Sequence, residues 1–117
     1  MAPTLRRPFS CGVELALEIL AGKWKPVILA RLKEGPLRYS ELHARLPNLS
    51  EKMLIQRLKD LEKLGLISRD KRGGRGARST YRLTARAATL RPALYALHDW
   101  GRRIANEVGA VIDPPAR

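Results

Sequence analysis

The feature that most restricts this chain is a change of period at Gly65. On its N-terminal side, Leu54, Leu58 and Leu61 recur at spacings of four and three, which marks one face of a helix. On its C-terminal side, Leu66-Ile67-Ser68-Arg69 and Thr80-Tyr81-Arg82-Leu83 read as two short strands. The stretch between them, Asp70 to Ser79, holds three glycines and four cations. A glycine-rich link of this kind closes a hairpin with a long tip. In a chain of 117 residues, few folds send a helix straight into a basic hairpin.

The rest of the sequence supplies more helices. Val13, Ala16, Leu17 and Leu20 keep helical spacing, with Ser10 as the expected N-cap and Gly22 as the left-handed stop. Pro26 opens a second helix that runs to about Lys33, with Val27, Leu29 and Leu32 apolar, and Gly35-Pro36 ends it. A short third helix spans Tyr39 to Leu46 and buries Leu42 and Leu46. Pro47-Asn48 then turns the chain into the fourth, capped by Ser50. After the hairpin, Thr84 caps a long last helix reaching about Val111, with a kink or a late start at Pro92. The predicted architecture is mainly α with a small β-hairpin (α+β). It is a winged helix-turn-helix whose flanking helices form a dimer interface. Residues 1–9 make a basic N-terminal arm, 10–112 the winged domain with its C-terminal dimerisation helix, and 113–117 a tail.

Charge narrows the partner. The chain carries 23 Lys and Arg against 11 Asp and Glu, a formal +12. Self-repulsion on that scale is best matched by a polyanion, nucleic acid first and an anionic membrane surface second. No apolar run approaches the ~18 residues of a membrane span, and the basic start lacks the apolar stretch of a secretory signal. With only 5% aromatic residues, the core is expected to be aliphatic. A single cysteine, Cys11, excludes an intramolecular disulfide and suits a reducing cytoplasm. One Cys with His43 and His98 far apart does not make a zinc site, and no cofactor is expected. No nucleophile arrangement or phosphate loop is present, so the chain does not read as an enzyme.

The second helix of a helix-turn-helix enters the major groove. Here Lys52, Gln56, Lys59 and Lys63 fall opposite the leucine stripe. Glutamine pairs bidentately with adenine, and lysine reaches guanine or phosphate. Ser50, Lys52 and Gln56 sit in the first turns, where base edges are within reach, and Lys59 is better placed for phosphate. In the hairpin tip, Lys71, Arg72, Arg75 and Arg78 suit a narrow minor groove. Leu90, Leu94, Leu97, Gly101, Ile104, Val108 and Val111 form a heptad-like seam. Together with Leu17 of the first helix, the seam residues Leu90, Leu94, Leu97, Ile104 and Val108 are the expected interface of a two-fold homodimer on double-stranded DNA. Two other readings stand beside this one: an RNA-binding module and a protein-interaction winged helix without operator specificity. The scattered aromatics weigh against the first, and the basic stripe and hairpin against the second.

In order, the chain shows Cys11-Gly-Val-Glu14, Gly22-Lys-Trp24, Gly35-Pro-Leu-Arg-Tyr39, Glu41-Leu42, Leu46-Pro-Asn-Leu-Ser50 and Lys52-Met-Leu54. Leu58, Leu61-Glu62, Gly65-Leu-Ile67, Tyr81-Arg-Leu-Thr84, Leu97 and Trp100-Gly101 follow. This series resembles the HxlR family of winged-helix regulators over roughly Ser10 to Gly101. The resemblance implies a homodimeric transcriptional regulator with DNA contacts from the fourth helix, from Arg38 and Tyr39 and from the wing. It also implies that Cys11 senses electrophiles or oxidants. Gly12 and Ala87 depart from the family pattern, which has proline and glycine there.

Cys11 lies at the start of the first helix near Arg6 and Arg7, and both features favour thiolate. Lacking a second cysteine, a switch would work through an intersubunit Cys11–Cys11 disulfide, a mixed thiol adduct or alkylation. The alternative is a structural cysteine in the dimer interface.

Overall fold

The structure, a computed structural model, describes residues 8–70 and 79–112. The expected tip residues Lys71, Arg72, Arg75 and Arg78, most of the N-terminal arm and the tail 113–117 lie outside them. Six helices and three strands follow in order: α1 (Gly12–Ile19), α2 (Lys25–Leu32), β1 (Leu37–Arg38), α3 (Tyr39–Ala44), α4 (Glu51–Lys63), β2 (Ile67–Asp70), β3 (Thr80–Leu83), α5 (Ala85–Ala88) and α6 (Arg91–Val108).

The core is mainly aliphatic, with Tyr39 and Tyr81 buried in it and Trp24 packed against it. Ile28, Leu29 and Leu32 of α2 meet Leu42 of α3, Leu46 and Leu49 of the turn, and Leu54, Leu58 and Leu61 of α4. The three α4 leucines are essentially inaccessible to solvent. Ser50 Oγ accepts the Met53 N–H at 3.1 Å, so the predicted N-cap forms. At the other end Gly65 takes φ +75°. The Leu66 N–H returns to the Leu61 carbonyl at 3.0 Å and the Gly65 N–H to Glu62 at 2.9 Å. This pair of bonds closes α4 and explains why the period changes at Gly65.

The strands form one antiparallel sheet in the order β1-β3-β2. The hairpin register pairs Ile67 with Leu83 and Asp70 with Thr80. The third strand is an addition to the sequence reading: Leu37 pairs with Tyr81 and Arg38 with Thr80. The Tyr39 N–H also donates to the Ser79 carbonyl at 2.9 Å. The start of α3 is thus sewn to the wing. Thr84 joins the other side, donating from Oγ1 to the Gly65 carbonyl at 2.6 Å while capping Ala87 N–H.

Several boundaries differ from expectation. Cys11, not Ser10, is the N-cap of α1, and Ser10 instead donates to the Glu14 carboxylate from both its N–H and its hydroxyl. The helix ends at Ile19, before Gly22 is reached. Gly22 keeps a positive φ in the link, and Trp24 takes the left-handed conformation as well, at φ 85°. The expected long last helix is two: Pro92 lacks an N–H and sits in the first turn of α6, with α5 separated from it by Thr89-Leu90. Val27 faces outward, and Ile28 takes the buried place beside Leu29. Ala87, where the family pattern has glycine, is buried against the core.

α6 packs on α2 through Leu94, and Arg91 Nε closes the contact by donating to the Lys33 carbonyl at 2.8 Å. The outer surfaces of α1 and α6 are apolar and uncovered. Val13 and Leu17 on α1, and Leu97, Trp100 and Val108 on α6, each expose more than half of their surface.

Candidate nucleic-acid interface

α4 presents two opposite faces. Its leucines fix one to the core, and the other turns Lys52, Gln56, Lys59 and Lys63 to solvent, as the helical period predicted. Ser50 sits exposed at the same end. Ser50 Oγ accepts the Met53 N–H and so holds the first turn, while its hydroxyl proton stays available to donate.

Gln56 and Arg57 are not independent side chains. Gln56 Nε2 donates to Asp60 Oδ1 at 3.1 Å and Arg57 Nη1 to Asp60 Oδ2 at 2.6 Å. Burial opposes ionisation of Asp60, but the bonds from Gln56 and Arg57 and the positive charges of Arg57 and Lys25 outweigh it together. Its carboxyl therefore sits below the ordinary range. Asp60 was missing from the sequence-derived site, although its spacing of four from Gln56 and three from Arg57 was the available signal.

Arg38 is exposed at the N-terminus of α3, where its N–H donates to Glu41 Oε1 at 2.8 Å. Tyr39 is a correction. Its side chain is buried in the core, with the ring 5.9 Å from that of His43. Burial, reinforced by the Glu51 carboxylate, raises the phenol above its ordinary value. Tyr39 anchors α3 and offers no face to a duplex. On the hairpin, exposed Arg82 lies across from exposed Ser68 and adds a cation at the root of the wing that the sequence reading had not singled out.

The expected interface residues divide. Leu17, Leu97 and Val108 are exposed and Ile104 is half-buried. Leu94 is a second correction: only 4% exposed, it belongs to the protomer's own core, and Leu90 packs half-buried against that core. Leu94 and Leu97 stand about 60° apart around the helix, enough to send one inward and the other outward. Trp100, 58% exposed, joins Leu97 and Val108 on the outer side.

Cys11 is exposed at the N-terminus of α1. Its side chain makes no capping hydrogen bond, but the Glu14 and Val13 backbone N–H groups at the open end of α1 favour the thiolate and lower its pKa, ahead of an opposing effect of burial and a lesser lowering by the Ser10 side chain. Among the described residues, no group of His, Cys, Asp and Glu is placed to hold a metal ion. No helix among them is long and apolar enough to cross a membrane.

This arrangement of α3, turn, α4 and basic hairpin can be set beside known proteins. A family model described as HxlR-like helix-turn-helix matches residues 19–108. The chain belongs to the HxlR-like helix-turn-helix family. It is a transcriptional regulator of that type, in a family of regulators rather than enzymes. It is 42% identical over 95 residues to the uncharacterised HTH-type transcriptional regulator YkvN of Bacillus subtilis, covering 81% of this chain and 80% of the relative. Among solved structures, the redox regulator HypR in its reduced form superposes with a TM-score of 0.75 at 26% identity, over 85% of this chain and 98% of that one. Quinone-bound YodB of B. subtilis gives 0.63 at 28% identity, over 78% and 96%.

Proposed function

We propose that this HxlR-type protein is a sequence-specific double-stranded DNA-binding regulator that acts as a homodimer. The observation that carries the reading is the division of α4. Its leucine face is locked into the core, while Lys52, Gln56 and Lys59 project from a helix fixed at both ends and tied to a basic hairpin. Lys52 and Gln56 read bases, Lys59 and Arg38 hold phosphates, and Lys71, Arg72, Arg75 and Arg78 follow the minor groove. The exposed apolar faces of α1 and α6 pair across a two-fold axis, so that two copies of α4 read two half-sites.

Cys11 carries the regulatory part of the reading. Its sulfur is exposed at the N-terminus of α1 and is held toward thiolate. HypR is described as a redox regulator, and YodB has been solved with a quinone bound. Modification of Cys11 would place a bulky group at the start of α1, beside the exposed Val13 of the pairing face, and so disturb the dimer.

Fluorescence anisotropy tests this. Duplex from the DNA upstream of the chain's own gene is compared with random duplex and structured RNA of equal length, at roughly physiological salt. Selective duplex binding that falls with diamide or a quinone, and persists in Cys11→Ser, is expected. Equal affinity for all three nucleic acids would overturn operator recognition. Operator affinity unchanged after full modification of Cys11 would overturn the switch alone.

A further inference from the structure

A cleft of about 620 Å³ separates α1 from the body of the protomer and lies apart from the outer apolar faces proposed to pair. Its size falls within the ~300–1,000 Å³ of small-molecule sites. The inner face of α1, with Leu15 and Ile19, makes one wall, and Leu64 at the end of α4 stands on the other. Lys25, Lys63 and Arg86 also line it, against the carboxylates of Glu18 and Asp60. Asp60 is already engaged by Arg57, which leaves the cations in excess. Arg86 is steadied at the α4 end, where Nη1 donates to the Leu64 carbonyl at 3.1 Å. An aliphatic wall beside a net positive charge, with Arg86 held in place, selects an apolar body that ends in an anion.

We propose that this cleft binds a small organic carboxylate, with its hydrocarbon between Leu15, Ile19 and Leu64 and its carboxylate on Lys63 and Arg86. The consequence for regulation rests on the DNA-binding reading above. Asp60 lines the cleft and also holds the Gln56 amide, so one carboxylate belongs to both sites. α1 forms the opposite wall and carries an exposed outer face, so an occupant wedges between the pairing helix and the reading helix.

The test is calorimetric titration of the full chain, without DNA, with 2-naphthoate and with octanoate. The alcohol 2-naphthalenemethanol serves as the neutral match. Saturable binding of one acid per protomer is expected, with the alcohol weaker by about fivefold or more. Lys63→Gln with Arg86→Gln, both at exposed positions, should abolish that preference. Leu15→Trp, at a partly exposed position, should block both acids. No saturable binding of either acid up to about 5 mM, equal binding of the alcohol, or unchanged binding by Leu15→Trp would each overturn the site. A partner helix filling the cleft in the dimer gives the first of these results. Because the titration contains no DNA, it stands apart from operator recognition. Saturating acid should then shift operator affinity by about threefold or more, and no shift would overturn the coupling.

Discussion

Replacing Trp100 by alanine separates pairing from folding. The side chain is 58% exposed in the protomer, which for tryptophan is about 145 Å² on a scale of ~250 Å². At ~25 cal/mol/Å², covering it stabilises by about 3.6 kcal/mol per copy. A two-fold interface covers two copies, although association costs consume much of such a sum. A loss of about 3 kcal/mol per dimer is therefore expected, roughly a hundredfold in Kd. Protomer stability should fall by no more than about 2.6 kcal/mol, the same coefficient applied to the ~105 Å² already covered in the protomer. Leu94→Ala supplies the contrast: at 4% exposure it should cost about 2–5 kcal/mol in folding. Sedimentation equilibrium over a concentration series gives the first quantity and denaturant melts of the monomer the second. Trp100→Ala that dimerises like the parent chain would refute the outer face of α6 as the interface.

Gln56→Ala should weaken operator binding by about 1–3 kcal/mol and leave random duplex nearly unchanged, as anisotropy with both DNAs would show. A Cβ at Gly101 meets nothing within 4 Å in the protomer. Gly101→Ala should therefore stabilise the monomer by about 0.8–1 kcal/mol through helix propensity, while dimer affinity falls if the partner helix crosses there; melts and sedimentation of the same variant test both. The lowered Cys11 pKa gives a pH signature. Folded protein should react with iodoacetamide faster than urea-unfolded chain at pH values between the lowered and the ordinary thiol pKa. The stability linked to this group is complete above the ordinary value and is lost as pH falls through the lowered one. Identical pH–rate curves for folded and unfolded protein would contradict the stabilisation of the thiolate at the start of α1.

What could be read from the sequence followed the range of the interactions involved. The core face of α4, its Ser50 cap and its stop at Gly65 depend on neighbours within a few residues, and they were legible. β1 was not, because a strand of two residues has no period and exists only through Tyr81 and Thr80, more than 40 positions away. Ser10 was the expected cap of α1, but Glu14 takes both its N–H and its hydroxyl, so the helix opens at Cys11 without a side-chain cap. The seam on α6 did not say which of its residues face the protomer's own core. A heptad pattern does not distinguish a chain's own core from a partner's, so Leu94 and Leu97 looked alike. Tyr39 came from resemblance alone, and its burial shows that a position fixed by the fold can be mistaken for one fixed by DNA.

The added strand has an evolutionary consequence. With Asp70 opposite Thr80, and Thr80 also held by Arg38, both ends of the segment between the hairpin strands are pinned to the body that carries α4. Residues gained, lost or exchanged in that segment leave the aim of the helix untouched. On the DNA-reading proposal above, the hairpin segment can diverge while α4 keeps its aim, and descendants of such a chain acquire new operators by editing a few codons in one place.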